Sequence, residues 1–370
     1  MTSGGFDELR IDVIDAGLCT RCGGCVASCP VNVLEFGKDG ISINGECIRC
    51  GACLRICPGK GVEMSDHEKR LFSRYRDHAL GKRYGIYIEK RHLTSARKEF
   101  IKAGYFGGRV TSILVAALEA GSIDAALLTD WSDDGALSTG KGMLARTRED
   151  IVKAASSKYV FSSVLTMLPE VQKDPDVGSV AIVLLPCQVQ AFRNMEMDTA
   201  ARHLTTKVRY LISLNCGAPN MSEGDWRGSI SRLMSVPPGE VQSFRYRKIS
   251  STRIELEVRT FNDEVVKKEV LVSHFLRNVN RGPRWPRCNL CPDYSGELSD
   301  LSFGPPIIRT DKGMELVRNA EARGYLARSS LKKSISQDIT DLFVGSRKKR
   351  CYSRNMQKRK KIGAPVPVYR

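Results

Sequence analysis

The sequence is short of everything that would place it in a membrane or outside a cell. No stretch reaches the roughly 18 consecutive apolar residues that read as a membrane-crossing helix. The strongest apolar runs, SVAIVLLP at 179–186 and TSILVAALEAG at 111–121, have the lengths of a strand and a helix. The opening MTSGGFDELRIDVIDAG lacks the basic flank, apolar centre and small-residue cleavage site of a secretory leader, so no oxidising compartment is expected. The 13 cysteines are therefore not expected to be consumed by disulfides. Histidine is scarce: His67, His78, His92, His203 and His274 are scattered, without metal-ligand or triad spacing, and each reads as structural.

Acidic residues are scarce too, and unevenly so. The formal net charge is +17, yet residues 1–65 carry eight acids against six Lys/Arg, a net of −2, which leaves +19 for the rest. The last 24 residues, RKKRCYSRNMQKRKKIGAPVPVYR, hold ten Lys/Arg and no acid, and read as a tail that is either merely solvated or seeks a polyanion or acidic protein face. A nucleic-acid partner is not expected: Tyr352 and Tyr369 are the only aromatics there, and no known binding module is present.

What the sequence does have is cysteine in runs. Residues 19–30 read CTRCGGCVASCP and residues 47–58 read CIRCGACLRICP, both C-x2-C-x2-C-x3-C-P. Three cysteines so spaced wrap one iron-sulfur cube, and the fourth, before proline, reaches the other. Cluster one is thus assigned to Cys19, Cys22, Cys25 and Cys57, and cluster two to Cys47, Cys50, Cys53 and Cys29. Zinc ribbons use paired C-x2-C knuckles instead. Residues 1–65 resemble a bacterial-type ferredoxin with two 4Fe-4S clusters, an electron wire.

After a charged connector, 66–83, the chain alternates short apolar strands with amphipathic helices from Tyr84 onward. Runs without polar alternation, such as Ile182 to Leu185, suit strands buried on both faces, so the expected fold is α/β: an α+β ferredoxin module followed by a mostly parallel α/β domain over 84–345, then the basic tail 346–370. Strict alternation in RIELEVR at 253–259, with EVVKKEVLV nearby, predicts an antiparallel insertion. YGIYIEK at 84–90 reads as a strand. Cys187 and Cys216 each follow a buried strand, where open α/β sheets bind ligands. With Cys288 and Cys291 they make four, the number a third cube needs, but spacing alone leaves zinc, a dithiol or plain core cysteines open. Cys351 has no partner in the pattern. GYFGG at 104–108 precedes a helix, and reads either as a tight turn or as backbone N–H groups offered to a phosphate or flavin.

The segments KAGYFGGRVTSILVAALEAGSIDAALLTD, SSKYVFSSV, LPCQVQAFRNME, LISLNCG, CNLCPDYSGELSDLSFG, IIRTDKG and RKKIGAPVP resemble, in order, the coenzyme F420 hydrogenase/dehydrogenase beta subunit family. The chain looks like a member with a ferredoxin module at its amino end, as in the electron-input subunit of the F420H2 dehydrogenase. The resemblance implies a flavin-binding domain that takes FAD, a 4Fe-4S cluster and the deazaflavin as substrate. It makes Cys187, Cys216, Cys288 and Cys291 ligands of a third cube, and Gly107, Gly108, Thr111, Lys158 and Tyr159 flavin contacts. It implies hydride exchange with F420 through FAD, single electrons passing through the cubes, and a partner such as a heterodisulfide reductase, a hydrogenase or a membrane dehydrogenase. The expected location is cytoplasmic, with any membrane attachment made through a partner. No side chain is expected as nucleophile or general base. Two departures stand out: Phe106-Gly107-Gly108 replaces the family's Asp-Gly-Gly, and a glycine-rich loop is shortened to LSFGPP at 301–306. The second keeps open a ferredoxin-dependent reductase of another organic substrate.

Overall fold

The computed structural model describes residues 4–37, 40–76, 84–104, 107–131, 139–156, 158, 160–162, 164–217, 223–250, 252–279, 285–304 and 306–370. The fold is α/β. The first 65 residues form short helices Phe6–Leu9, Gly24–Ala27 and Ala52–Arg55 beside a hairpin of Leu34–Gly37 with Gly40–Ile43.

The main sheet has eight strands among the described residues, in the order Glu89–Lys90, Pro306–Ile308, Leu301–Phe303, Val208–Leu214, Val180–Leu184, Ala125–Trp131, Thr139–Ala145, Phe161–Ser162. Its centre is parallel, from Leu301–Phe303 through Val208–Leu214 and Val180–Leu184 to Ala125–Trp131. Side chains alternate across a strand. Leu127, Val180, Ile182 and Leu211 therefore enter one core, while Ala126, Leu128, Ala181 and Ile212 enter another on the opposite face. Each fully buried Leu, Ile or Val contributes about 1.5–3 kcal/mol, so burial on both faces holds these short strands.

The first core belongs jointly to the sheet and the ferredoxin module. Leu9, Val13, Leu18, Ile56 and Val62 share it with Val189, Ala191, Phe192 and Met195 of the helix Pro186–Met197. Polar ties reinforce the seam. Arg55 pairs with Asp198 at 2.5 Å, and the Asn194 amide oxygen meets His67 Nε2 at 2.9 Å while its nitrogen donates to the Ile56 carbonyl at 3.2 Å. Part of the charged connector forms the helix Met64–Phe72, whose His67 and Glu68 are buried.

Three antiparallel strands, Val241–Lys248, Arg253–Thr260 and Val265–Leu271, form the expected insertion with a core of its own. Ile254, Leu256 and Val258 are buried while Glu255, Glu257 and Arg259 face outward, as the alternation in RIELEVR dictates. YGIYIEK differs from expectation, since only Glu89–Lys90 is strand. The carbonyls of Tyr84 and Ile86 are taken by the buried Arg309 guanidinium at 2.6 and 2.8 Å instead of by a neighbouring strand. The basic segment 346–370 is not a free tail. A helix runs Leu331–Lys361, and Val368–Tyr369 then pairs in parallel with Gly61–Val62 of the ferredoxin module. Burial of Lys348 and close packing of Tyr369 outweigh the pull of the remaining charges toward water. Among the described residues no helix is long and apolar enough to cross a membrane.

Candidate iron-sulfur and flavin site

The two ferredoxin runs fold locally as near copies. Arg21 and Arg49 hold left-handed φ of 53° and 54°, and Gly23 and Gly51 hold 78° and 72°, at equivalent places. This winding turns backbone N–H groups inward: those of Arg21 and Arg49 donate to the Sγ of Cys19 and Cys47, each at 3.4 Å, and that of Gly59 to Cys57 Sγ at 3.3 Å. Such bonds to sulfur favour the more negative, reduced form of a cluster. A left-handed non-glycine residue costs about 1–2 kcal/mol, which the surrounding turn must over-determine.

Cys29, Cys47, Cys50 and Cys53 line a small recess, partly open to solvent, with Gly5, Gly51 and Ala52 keeping it clear of bulk. Burial raises Cys53 to about 11, with Cys47 and Cys50 adding to the effect. Cys25 is pushed well up by burial and then by Cys22, Cys57, Cys19 and Cys53. Among the described residues no three His, Cys, Asp or Glu side chains gather about a single point as one ion requires. Four thiols around a larger space, each opposing its neighbours' charge, fit a polynuclear cationic core that shares their electrons.

The strand ends bring together the remaining cysteines singled out from the sequence. Cys187 opens the helix Pro186–Met197 directly after Val180–Leu184, and Cys216 follows Val208–Leu214. Cys288 and Cys291 come from the 3-10 turn Pro286–Leu290 and its exit. Burial raises Cys187 well above its ordinary range, followed by Cys22, Cys216, Cys291 and Cys288 in that order, so Cys187 lies within electrostatic reach of Cys22 of the first run. The donor set again fits a cube. Cys351 is half-buried on the C-terminal helix.

Three supports of this set were not legible beforehand. Lys348 is buried and donates to the carbonyls of Cys216 at 2.9 Å and Asp293 at 2.5 Å. Asp293 accepts from the backbone N–H of Gly296 at 2.8 Å and from Gln190 Nε2 at 3.2 Å. Arg287, 1% exposed, spans toward the ferredoxin run. The only advance signal was adjacency to C-x2-C for Arg287 and Asp293; Lys348 had none, as one of ten cations in the last 24 residues. A further shield covers the first run: Arg21 lies over the rings of Phe161 and Trp285 at 4.6 and 5.4 Å, and Trp285 Nε1 donates to the Cys19 carbonyl at 2.7 Å.

The candidate flavin contacts fall at two places on the carboxyl ends of the parallel strands. Gly107 and Gly108, at φ of 79° and 66°, open the helix Arg109–Glu119, and Thr111 is buried in its first turn. A Cβ on Gly108 would sit 2.3 Å from the Phe100 carbonyl oxygen, so close backbone approach already demands glycine there. Arg109 donates to the carbonyls of Leu93 at 3.4 Å and Gly304 at 2.6 Å, which joins this turn to the shortened LSFGPP segment. Lys158 stands beside Asp130, at the end of Ala125–Trp131, and donates to the Ala154 carbonyl at 2.7 Å. Burial pushes its amine down to about 8, Asp130 opposing and Arg245 of the insertion reinforcing the fall. Tyr159 and Phe106 lie outside the described residues.

Comparison with known proteins gives three family models. Two describe the beta subunit of coenzyme F420 hydrogenase/dehydrogenase: the model of its carboxy-terminal part matches residues 177–334, and that of its amino-terminal part matches 93–169. A 4Fe-4S dicluster domain matches residues 11–58. A coenzyme F420-dependent sulfite reductase of Methanocaldococcus jannaschii is 26% identical over 84% of this chain, which spans 47% of that protein. Coenzyme F420 hydrogenase subunit beta of Methanothermobacter thermautotrophicus is 23% identical over 76% of this chain and 99% of its own. Among solved structures, a chain of the F420-reducing nickel-iron hydrogenase complex from Methanosarcina barkeri shares the fold, with a TM-score of 0.59 and 24% identity over 80% of this chain and 98% of that one.

Proposed function

The chain belongs to the coenzyme F420 hydrogenase/dehydrogenase beta subunit family, and from that premise we propose an iron-sulfur flavoprotein that exchanges hydride with coenzyme F420 through FAD and passes single electrons to or from a partner redox complex. The cysteine sets follow one another through the molecule, and this order carries the reading. Cys187, at the end of a central strand, lies near Cys22, Cys25 lies near Cys53, and the set containing Cys53 opens to solvent. A succession from the strand ends to the surface is what a wire between a buried reaction and a docked partner requires.

Gly107, Gly108, Thr111, Lys158 and Tyr159 would hold FAD, which when bound supplies the conversion between two-electron hydride transfer and one-electron steps. The twelve cysteines of the three sets would hold 4Fe-4S cubes. Lys158, as a cation at a strand end, would bind an anionic group of cofactor or substrate, and the +19 carried outside the ferredoxin module would speed capture of an acidic substrate. Phe161 and Trp285 exclude water from the first ferredoxin set.

Anaerobic purification, followed by iron and flavin analysis and by reduced F420 with a viologen acceptor, tests this. About twelve irons for three cubes, one FAD and dye reduction are expected. Bound FAD without F420 turnover favours a ferredoxin-dependent reductase of another organic substrate. That second reading is supported by the way Arg109 pins Gly304, so that the shortened loop borders the glycine turn.

A further inference from the structure

Arg287 is a buried charge. Among the described residues no carboxylate pairs with it, although its side chain is almost wholly removed from water. Its five-donor fork is spent on neutral oxygens: Nε donates to the Gly59 carbonyl at 3.1 Å, Nη2 to the Pro58 carbonyl at 3.0 Å and the Tyr369 hydroxyl at 2.6 Å, and Nη1 to the Leu290 carbonyl at 2.7 Å. Pro58 and Gly59 directly follow Cys57 of the first ferredoxin set. Leu290 lies between Cys288 and Cys291 of the set at the strand ends. A guanidinium so buried is strongly disfavoured unless negative charge lies close by. The negative charge facing it is that of sulfur: Cys19 and Cys57 on one side, Cys187, Cys288 and Cys291 on the other.

We propose that Arg287 is a positioning residue shared by two cubes, the counter-cation that lets both take up an electron at close quarters and the splice that ties the chain of Cys57 to that of Cys288. The inference rests on the reading of Cys187, Cys216, Cys288 and Cys291 as ligands of a third cube. In the step it serves, one electron leaves one cube and enters the other. No bond breaks, and the guanidinium keeps its protons throughout. A fixed positive charge between them stabilises the reduced, more negative state of each. The set Cys29, Cys47, Cys50 and Cys53 has no contact with Arg287 and provides an internal reference.

The test is a redox titration of the full chain followed by electron paramagnetic resonance, on the wild type, Arg287→Met and Arg287→Lys, with iron counted in each. Arg287→Met should retain its iron while the two adjacent cubes shift to more negative potential and the solvent-facing one stays put. Arg287→Lys, which keeps the charge, should return both potentials most of the way. Unmoved potentials in Arg287→Met, or an equal shift of all three cubes, overturns the proposal. If Arg287→Met loses iron, Arg287→Lys decides: retained iron and potentials uphold the counter-cation, and the same loss in both variants reduces Arg287 to a structural clamp and overturns it. Failure of the third-cube reading is seen separately, as about eight irons in the wild type; a shift of the first ferredoxin cube alone then still tests Arg287 on that side.

Discussion

Lys348 sits on a helix where Arg347, Arg350, Arg354, Lys358, Lys360 and Lys361 face water and Arg359 reaches the Ala16 carbonyl, while Lys348 is buried and turns to two carbonyls of the strand-end cysteine set. Lys348→Met would leave the Cys216 and Asp293 oxygens buried and short of a donor, at about 1–3 kcal/mol for each unsatisfied group. A lower melting temperature and a fall in iron from about twelve toward eight per chain are expected, read by thermal denaturation and iron analysis. Lys158 makes a pH prediction. Burial brings its amine down to about 8, so it is cationic below that value and neutral above it. Anion binding that uses this charge is complete below pH 8 and weakens as pH rises through it, by at most about tenfold per unit. Flavin-fluorescence titrations between neutral and alkaline pH should show this slope in the wild type, and a flat, weaker profile in Lys158→Met. Neither residue was readable as special in the same way. Lys158 entered through family resemblance, whereas Lys348 is one of ten basic residues in a run, and only burial distinguishes it.

At the scale of elements, the turn before Arg109–Glu119 shows how one glycine pattern carries two meanings. Gly108 and Gly121 share nearly the same left-handed φ, 66° and 65°, but an added Cβ meets the Phe100 carbonyl at the first and open space at the second. Gly121→Ala should therefore cost only about the left-handed penalty of 1–2 kcal/mol, and Gly108→Ala clearly more, as measured by denaturant unfolding. The comparison separates backbone conformation from close approach. The strands were legible because burial on one face or two leaves a period: RIELEVR alternates and Val180–Leu184 does not. YGIYIEK misled because Tyr84 and Ile86 are buried, as alternate residues of a strand would be, while their carbonyls answer to Arg309, a residue more than 200 positions later.

For the molecule as a whole, the ferredoxin module is built into the rest rather than tethered to it. It shares a core with Pro186–Met197 on one side and is edged by Val368–Tyr369 on the other. Ending the chain after Ala364 would remove that strand and the Tyr369 hydroxyl held by Arg287. The far-ultraviolet dichroism should barely change, while visible absorbance from the cubes bleaches several-fold faster in air than in the full chain. An unchanged bleaching rate would show that the terminal strand does not protect them. What the sequence determined by itself was local: the spacing of Cys19 to Cys29 and Cys47 to Cys57, the alternation of apolar residues, and the resemblance to a family, because each is written in short, contiguous patterns. What only the tertiary structure decided was which distant groups meet. Cys187 comes to lie near Cys22, Arg287 between Cys57 and Cys288, and Lys348 under Cys216. These meetings depend on how a sheet stacks its strand ends against a packed module, and burial in that packing turns ordinary basic residues into the charges around the cysteine sets.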